Sequence, residues 1–246
     1  MHKGMFLVIS ILCVLPLISR AAMSSIDYKI SIDSINMGGD YSTSTSYSLQ
    51  DTVGEIATGN STSTNYTMNA GYQQMYTSYI SISSPSSLGL PSMNGLSGNM
   101  ATGSISMIVI TDNPAGYSLS VQASSSPILV DSAGASFADY SPSGGVPDFS
   151  FTVSPSSSTF GFSVVSPDVV SRYDNNGSIC NAGSTNTAFT CWDGFSTSQR
   201  VITQSSSSNQ PNGATTTLNL KAGIGSAKLQ DSGAYSATFT LTAITL

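Results

Sequence analysis

Apolar and polar residues alternate with a period of two over much of the chain. The clearest stretches are residues 26–33, 116–123 and 234–243, and residues 104–110 pass from alternation into a continuous apolar run. Successive side chains of a strand point to opposite faces, so alternation predicts half-buried strands and the apolar run predicts a central strand. No window after residue 21 shows a convincing 3.6-residue apolar stripe. The pattern therefore predicts an all-β protein.

Further strands are predicted between clusters of Ser, Pro, Gly and Asn. They lie at residues 66–72, 78–83, 148–153, 160–165, 188–192, 200–204 and 215–221. Many short strands separated by turn signals, such as DNPAG at residues 112–116, are typical of an antiparallel sandwich or barrel.

The first 21 residues have the layout of a signal peptide. A positive start precedes a fourteen-residue apolar run at residues 5–18, and Ser19 and Ala21 place small residues at the −3 and −1 positions of a cleavage site. The run is short for a membrane span. We expect an exported protein that starts near Ala22, is secreted or held at the cell surface, and has no membrane span once the signal is removed. An uncleaved anchor is the alternative.

Removal of the signal peptide would leave an acidic chain without histidine. It takes away His2 and two of the seven basic residues, Lys3 and Arg20, but none of the thirteen acidic residues, which leaves a net charge of −8. A chain of this charge has no basic surface for phosphate backbones or anionic membranes. We therefore expect no nucleic-acid partner.

Only Cys180 and Cys191 remain after the signal peptide. An even number of cysteines in an oxidising compartment predicts a disulfide between them. A zinc site needs about four ligands, and two cysteines without histidine do not supply a usual set. We predict the Cys180–Cys191 disulfide and expect neither a metal nor a cofactor.

A ten-residue phrase occurs twice near the N-terminus. Residues 42–51 (STSTSYSLQD) return at residues 61–70 as STSTNYTMNA. Each copy leads from a Ser/Thr tract into a predicted strand, and two copies are too few for a solenoid, so we expect a two-copy β unit. With a boundary near residue 77, three parts are predicted: a signal peptide at 1–21, an N-terminal β-repeat region at 22–77 and a β-sandwich domain at 78–246.

The repeat region resembles a tandem S-x-Y-x-L…G-Q…G…S-x-Y-x-L-x-x-G-[FY] element near the start of many secreted bacterial surface proteins. The resemblance covers residues 38–72, with Glu55 at the usual Gln and Met68 at the usual Leu. It implies export and surface display without a particular activity. Residues 233–240 (GAYSATFT) resemble the closing strand of bacterial immunoglobulin-like and pilin-type sandwiches, which implies an immunoglobulin-like antiparallel β-sandwich.

The usual catalytic patterns are incomplete in this sequence. A Ser-His-Asp triad needs a histidine, and the DSG at residues 231–233 has the form of an aspartic-protease loop but lacks a matching second loop. Glu55 is the only glutamate, so a glycosidase would need paired aspartates, and no spacing singles out a pair. Residues 174–178 (DNNGS) fit a turn better than a calcium loop. We expect a protein that is not an enzyme.

The only tryptophan, Trp192, directly follows Cys191. Neighbours on a strand point to opposite faces, so a disulfide in the core would leave Trp192 exposed, beside Tyr173 and Asp174. Such an aromatic platform, with Asp193 adjacent, is suited to stacking on a sugar or to anchoring an interface. The other interpretation buries Trp192 and places the disulfide at the surface. Of these roles for Trp192, we favour the structural one.

The sequence as a whole predicts an exported, non-enzymatic structural or adhesion protein, such as an assembling pilin-like or adhesin-like subunit. Its partners would be other surface proteins or further copies of itself, engaged through sheet faces and edges, with the last predicted strand as one available edge. The alternative is a carbohydrate-binding module in which glycans contact Trp192, Tyr173, Asp174 and Asp193.

Overall fold

A computed structural model describes residues 39, 41–44, 48–50, 53–54, 59–62, 67–71, 78–95 and 98–246. The chain separates into two units, Met1–Thr77 and Ser78–Leu246. The predicted signal peptide and the strand predicted at residues 26–33 lie outside the described residues. The division of the chain into three functional parts stays a prediction.

The described residues of the first unit form two short antiparallel hairpins. Strand β1 (Tyr41–Thr43) pairs with β2 (Ser48–Gln50), and β3 (Gly59–Thr62) pairs with β4 (Thr67–Ala70). Both copies of the repeated phrase have the same register, because Ser42 faces Leu49 and Ser61 faces Met68. Each copy thus supplies two strands, whereas the sequence predicted one. The Ser/Thr tract, taken above as a polar lead-in, contributes to the first strand of each hairpin.

The described part of the second unit contains nine strands in two sheets. In chain order they are β5 (Ile80–Ile82), β6 (Met100–Thr111), β7 (Tyr117–Ala123), β8 (Leu129–Val130), β9 (Ser136–Asp139), β10 (Ser158–Val165), β11 (Arg200–Ser205), β12 (Ala214–Ile224) and β13 (Phe239–Thr245). One sheet has the order β5-β6-β12-β10-β9-β8, and the other has the order β11-β7-β13. Neighbouring strands are antiparallel except for β9 and β10. The all-β prediction is confirmed.

Two of the predicted strands are wrong. Residues 148–153 and 188–192 are irregular, and the only backbone pairing between these two described segments is an isolated bridge between Asp148 and Trp192. In the second segment Phe189 and Cys191 have φ values of 60° and 58°, which an extended strand does not allow. In the first segment Phe151 and Val153 pack over Gly223 of β12, but within the described residues the backbone joins no ladder beyond the bridge at Asp148.

One apolar core is shared by both sheets. Its fully buried members include Leu119 from β7, Phe160, Phe162 and Val164 from β10, and Leu218 from β12. The opposite face of β10 and β12 is also covered, because Ser163 and Asn219 on that face are buried. Gly161 makes this possible: a Cβ there would lie 2.7 Å from the Cβ of Tyr140. The six-stranded sheet is thus buried on both sides at its centre.

Candidate functional site

Asp193 lies next to β10 and occupies the place of a further strand. Its backbone N–H donates to the carbonyl of Phe162 at 2.8 Å, and its carbonyl accepts from the N–H of Phe162 at 2.9 Å. The following Gly194 passes so close to Tyr140 that a Cβ would overlap the Tyr140 carbonyl. Backbone pairing and a required glycine therefore fix Asp193 with 1% of its surface exposed.

The carboxylate of Asp193 is the centre of a buried charged cluster. Its Oδ2 accepts hydrogen bonds from Arg172 Nε at 2.9 Å and from the Tyr173 hydroxyl at 3.1 Å, and it forms an ion pair with Arg200. The other carboxylate oxygen accepts from the N–H of Gly194 at 2.9 Å. Two cations thus compensate one carboxylate, and both carboxylate oxygens have donors.

This environment fixes the protonation states of the cluster. Burial raises the pKa of Asp193, but hydrogen bonds and charges from Arg172 and Arg200 outweigh burial and hold the pKa below its usual value. The pKa of Tyr173 is raised, first by burial and then by the facing Asp193 carboxylate. An ionised carboxylate and a protonated phenol, each saturated with partners, are poorly suited to exchange protons at neutral pH. The arrangement is that of a structural ion cluster.

The disulfide between Cys180 and Cys191 is present, as predicted. Cys180, Cys191 and Trp192 have exposed fractions of 3%, 1% and 1%. The burial of Trp192 agrees with the structural interpretation that we favoured, but the disulfide is buried with the indole and does not lie at the surface. The reason is the left-handed backbone of Cys191, which breaks the alternation on which that argument depended.

Trp192 packs in an aromatic group of its own. Its ring meets the ring of Phe151 edge-on, with centroids 5.2 Å apart, and the Lys221 ammonium lies 5.5 Å from the indole centroid. The indole Nε1 donates to the carbonyl of Phe189 at 2.9 Å. The expected exposed platform at Trp192 is therefore wrong: the large ring covers the outer face of the six-stranded sheet.

The four residues expected to form one ligand surface are distributed over different environments. Tyr173 and Asp193 are in contact but buried, and Trp192 belongs to the group with Phe151. Asp174 is partly exposed, and burial raises the pKa of its carboxyl group. The structure brings Tyr173 and Asp193 together and does not bring Trp192 to a surface with them.

Sequence reasoning missed Phe189, which is 49% exposed. It lies in the loop closed by the disulfide, within the segment predicted as a strand. The available signal was its position: it is the only bulky apolar residue between Cys180 and Cys191.

A large apolar cavity lies at the other side of the second unit. Its volume is about 1450 Å³, and it is bounded by Phe160 of β10, by Leu241 of β13 and by residues 82–95, including Leu90. Asp231 is the single charged residue among those that line it. The cavity favours apolar side chains or an apolar ligand over anions.

Strand β13 forms one edge of the three-stranded sheet and also lines this cavity. Hydrogen bonds from Ser124 N–H to the Thr238 carbonyl and from Leu246 N–H to the Gly116 carbonyl show that even-numbered residues point their backbone groups toward β7. Leu241 and the other odd-numbered residues therefore point theirs away from β7. Within residues 78–95 and 98–246, no backbone hydrogen bond is made on that side of β13, although β5 approaches the strand to within 8 Å between Cα atoms.

The other edge of the same sheet is covered. Val170 N–H donates to the Ile202 carbonyl at 3.2 Å, and Gln204 N–H donates to the Asp168 carbonyl at 2.8 Å, so β11 is paired with an irregular segment. Strand β11 also begins with a charged residue, Arg200, and contains a register shift. Such features protect a sheet edge, and β13 (FTLTAIT) has none of them.

No protein-family model, curated protein or solved structure matches this chain. In the part of the chain that the structure describes, no helix has the length and apolarity needed to cross a membrane. Over the same residues, no three side chains of the His, Cys, Asp and Glu types gather as a metal site requires.

Proposed function

We propose that the chain is an exported, non-enzymatic structural or adhesion protein of the cell surface or the extracellular space. Its second unit is an immunoglobulin-like β-sandwich, and it assembles with other copies or with other surface proteins through β13. The observation that supports this most directly is the edge of β13, which makes no backbone hydrogen bond on one side within the described residues. The strand is seven residues long and contains no charge, proline or glycine. An edge of this kind is suited to pairing with a strand of another chain.

The cavity beside β13 supports the same function. Neighbouring strands lie about 4.8 Å apart, and alternate side chains of a strand point to one face. A strand paired with β13 would therefore place every second side chain over the cavity that Phe239 and Leu241 line. Apolar residues at those positions would be buried, so the preferred partner strand alternates apolar and polar residues.

The other features of the chain agree with export and with a structural role. A disulfide persists in oxidising compartments, and the first 21 residues have the layout of a signal peptide. Asp193 and Tyr173 are saturated by internal partners. Burial also raises the pKa of Tyr117, whose hydroxyl donates to Asp168 at 2.9 Å. Their chemistry stabilises the fold.

A proline at position 243 tests the edge directly. The N–H of Ala243 points away from β7, so Ala243→Pro removes a donor from the outer edge of β13 and leaves the β7 ladder intact. We expect the purified protein to form assemblies in analytical ultracentrifugation and electron microscopy, and Ala243→Pro to raise their dissociation constant at least about tenfold, the loss of about 1.4 kcal/mol.

Ala243→Val is the matched control, because it keeps the N–H and changes only the side chain. Unchanged assembly of Ala243→Pro, or a wild-type protein that is monomeric at every concentration, would contradict assembly through β13. Recovery of the native protein only from the cytoplasm would contradict export.

A further inference from the structure

Phe189 is an exposed aromatic residue with an unusual backbone. Its φ is 60°, in the left-handed region that bulky residues rarely adopt, and about half of its surface is open to solvent. Such a conformation persists where the surrounding structure enforces it, and it occurs preferentially at functional sites. The exposed ring and the unusual backbone together make Phe189 a candidate ligand-binding residue.

Several contacts enforce this conformation. The carbonyl of Phe189 accepts from the buried indole of Trp192 at 2.9 Å, and the neighbouring Thr190 hydroxyl donates to the Thr187 carbonyl at 2.8 Å. The disulfide ends the loop one residue later, at Cys191. The ring is thus presented from a fixed backbone, which lowers the entropy cost of binding a ligand.

The loop is also fixed at its middle. Asn186 donates from Nδ2 to the carbonyls of Val164 and Tyr173, at 3.1 and 3.3 Å, and its Oδ1 accepts from the N–H of Ser166 at 2.8 Å. Thr185 exchanges two backbone hydrogen bonds with Asn175. The surface around Phe189 is therefore preorganised although it has no regular secondary structure.

The segment that carries Phe189 has no charged side chain of its own, although the partly exposed Asp174 accepts a backbone hydrogen bond from Ala182 of the loop. Residues 175–192 contain no acidic or basic side chain. The exposed side chains of the disulfide loop are instead neutral hydrogen-bonding groups, among them Asn181, Ser184, Thr185 and Thr187. A neutral ligand with many hydroxyl groups matches this surface better than an ion does.

We propose that Phe189 and the Cys180–Cys191 loop bind a neutral saccharide. The ring stacks on the apolar C–H face of a pyranose, and the loop amides and hydroxyls bond to the sugar hydroxyls. A protein partner is a poorer match, because a stable interface buries about 800 Å² on each side around an apolar core. Here the large exposed apolar side chains are only Phe189 in the loop and Ile179 next to Cys180, and the other exposed side chains of the loop are mostly polar.

This site is separate from β13 and does not depend on assembly. It also differs from the platform expected at Trp192, since the indole serves to hold the Phe189 carbonyl and does not face the ligand.

A glycan array with neutral and acidic saccharides tests the proposal. We expect the purified wild-type protein to bind neutral glycans, Phe189→Ala to bind at least tenfold more weakly, and Phe189→Tyr to retain binding. Leu229→Ala, at an apolar residue that is 72% exposed and outside the loop, is the matched control and should bind as the wild type does.

The variant Phe189→Gly distinguishes a loss of saccharide binding from a loss of folding. Glycine adopts a φ of 60° readily, so we expect a Tm equal to or above that of the wild type together with lost binding. An array without signals for the folded wild type, binding confined to acidic glycans, or equal binding by wild type and Phe189→Ala would each overturn the proposal.

Discussion

The outer face of the six-stranded sheet and the edge of the three-stranded sheet are built in opposite ways. Around Trp192, aromatic rings, a disulfide and an ion cluster cover both faces of β10, and the carboxylate of Asp193 has a partner at each oxygen. At β13, the backbone groups of alternate residues have no partner within the described residues, and a cavity of about 1450 Å³ adjoins the strand.

The contrast shows that the second unit is stabilised in one region and can offer a strand edge for binding in another. Buried groups whose hydrogen bonds are all made keep the region around Trp192 rigid. The stability gained there allows the unit to remain folded although β13 is incompletely paired. Because of this difference, we expect equivalent substitutions to cost far more stability near Trp192 than near β13. The following measurements test it, beginning with the largest expected effect.

Trp192→Ala should lower the free energy of unfolding by about 3–5 kcal/mol, because it removes a fully buried ring and leaves a cavity over the sheet. Urea unfolding followed by circular dichroism measures the change. Leu229→Ala, at an exposed position, should stay within about 0.5 kcal/mol of the wild type. Similar losses for both variants would remove the contrast.

The double substitution Cys180→Ser, Cys191→Ser should cost about 3 kcal/mol on the chain-entropy model of disulfide stabilisation, given a loop with a sequence separation of 11. The same unfolding experiment measures it. A cost under about 1 kcal/mol would mean that the packing of this region holds the loop without its covalent link.

Asp193→Asn should cost about 2–3 kcal/mol, because Arg172 and Arg200 lose their counter-charge. The side chains of both arginines are about 30% exposed, and this solvent contact keeps the cost below that of a fully buried pair.

The pH dependence of the wild type follows from the lowered pKa of Asp193. Its contribution to stability is complete above the unfolded-state pKa of about 3.9 and is lost as the pH falls through the lower pKa of the folded state. Acid unfolding curves of wild type and Asp193→Asn should therefore converge toward low pH. Parallel curves would show that the Asp193 charge does not contribute.

Leu241→Ala should have the smallest effect, about 1 kcal/mol, because Leu241 lines an existing cavity and is only half-buried. Leu218→Ala, at a fully buried position of β12, is the comparison and should cost about 2–5 kcal/mol. Equal costs would show that β13 is packed as tightly as the core.

Period-two patterning was a reliable guide where strands are regular. It located β7, β10, β11 and β12 because their backbones are extended, so successive side chains point to opposite faces of a sheet. It failed at residues 188–192, where the positive φ of Phe189 and Cys191 depends on contacts with Trp192 and Cys180 that sequence alternation does not encode.

The exposed aromatic ring was harder to predict than the disulfide. Two cysteines allow only one intramolecular pairing, so Cys180–Cys191 followed from counting. The choice between Trp192 and Phe189 as the exposed ring depended on residues 140–153, whose Phe151 covers the indole. Long-range packing of this kind leaves no periodic trace in the sequence.

The burial of both sulfur atoms has a consequence for reduction of the protein. Thiol–disulfide exchange requires a thiolate to reach one sulfur in line, and Cys180 and Cys191 are almost inaccessible in the folded state. A small reductant can act only during transient opening of this region. The rate at which a soluble thiol cleaves the disulfide would therefore report how often the region around Trp192 opens.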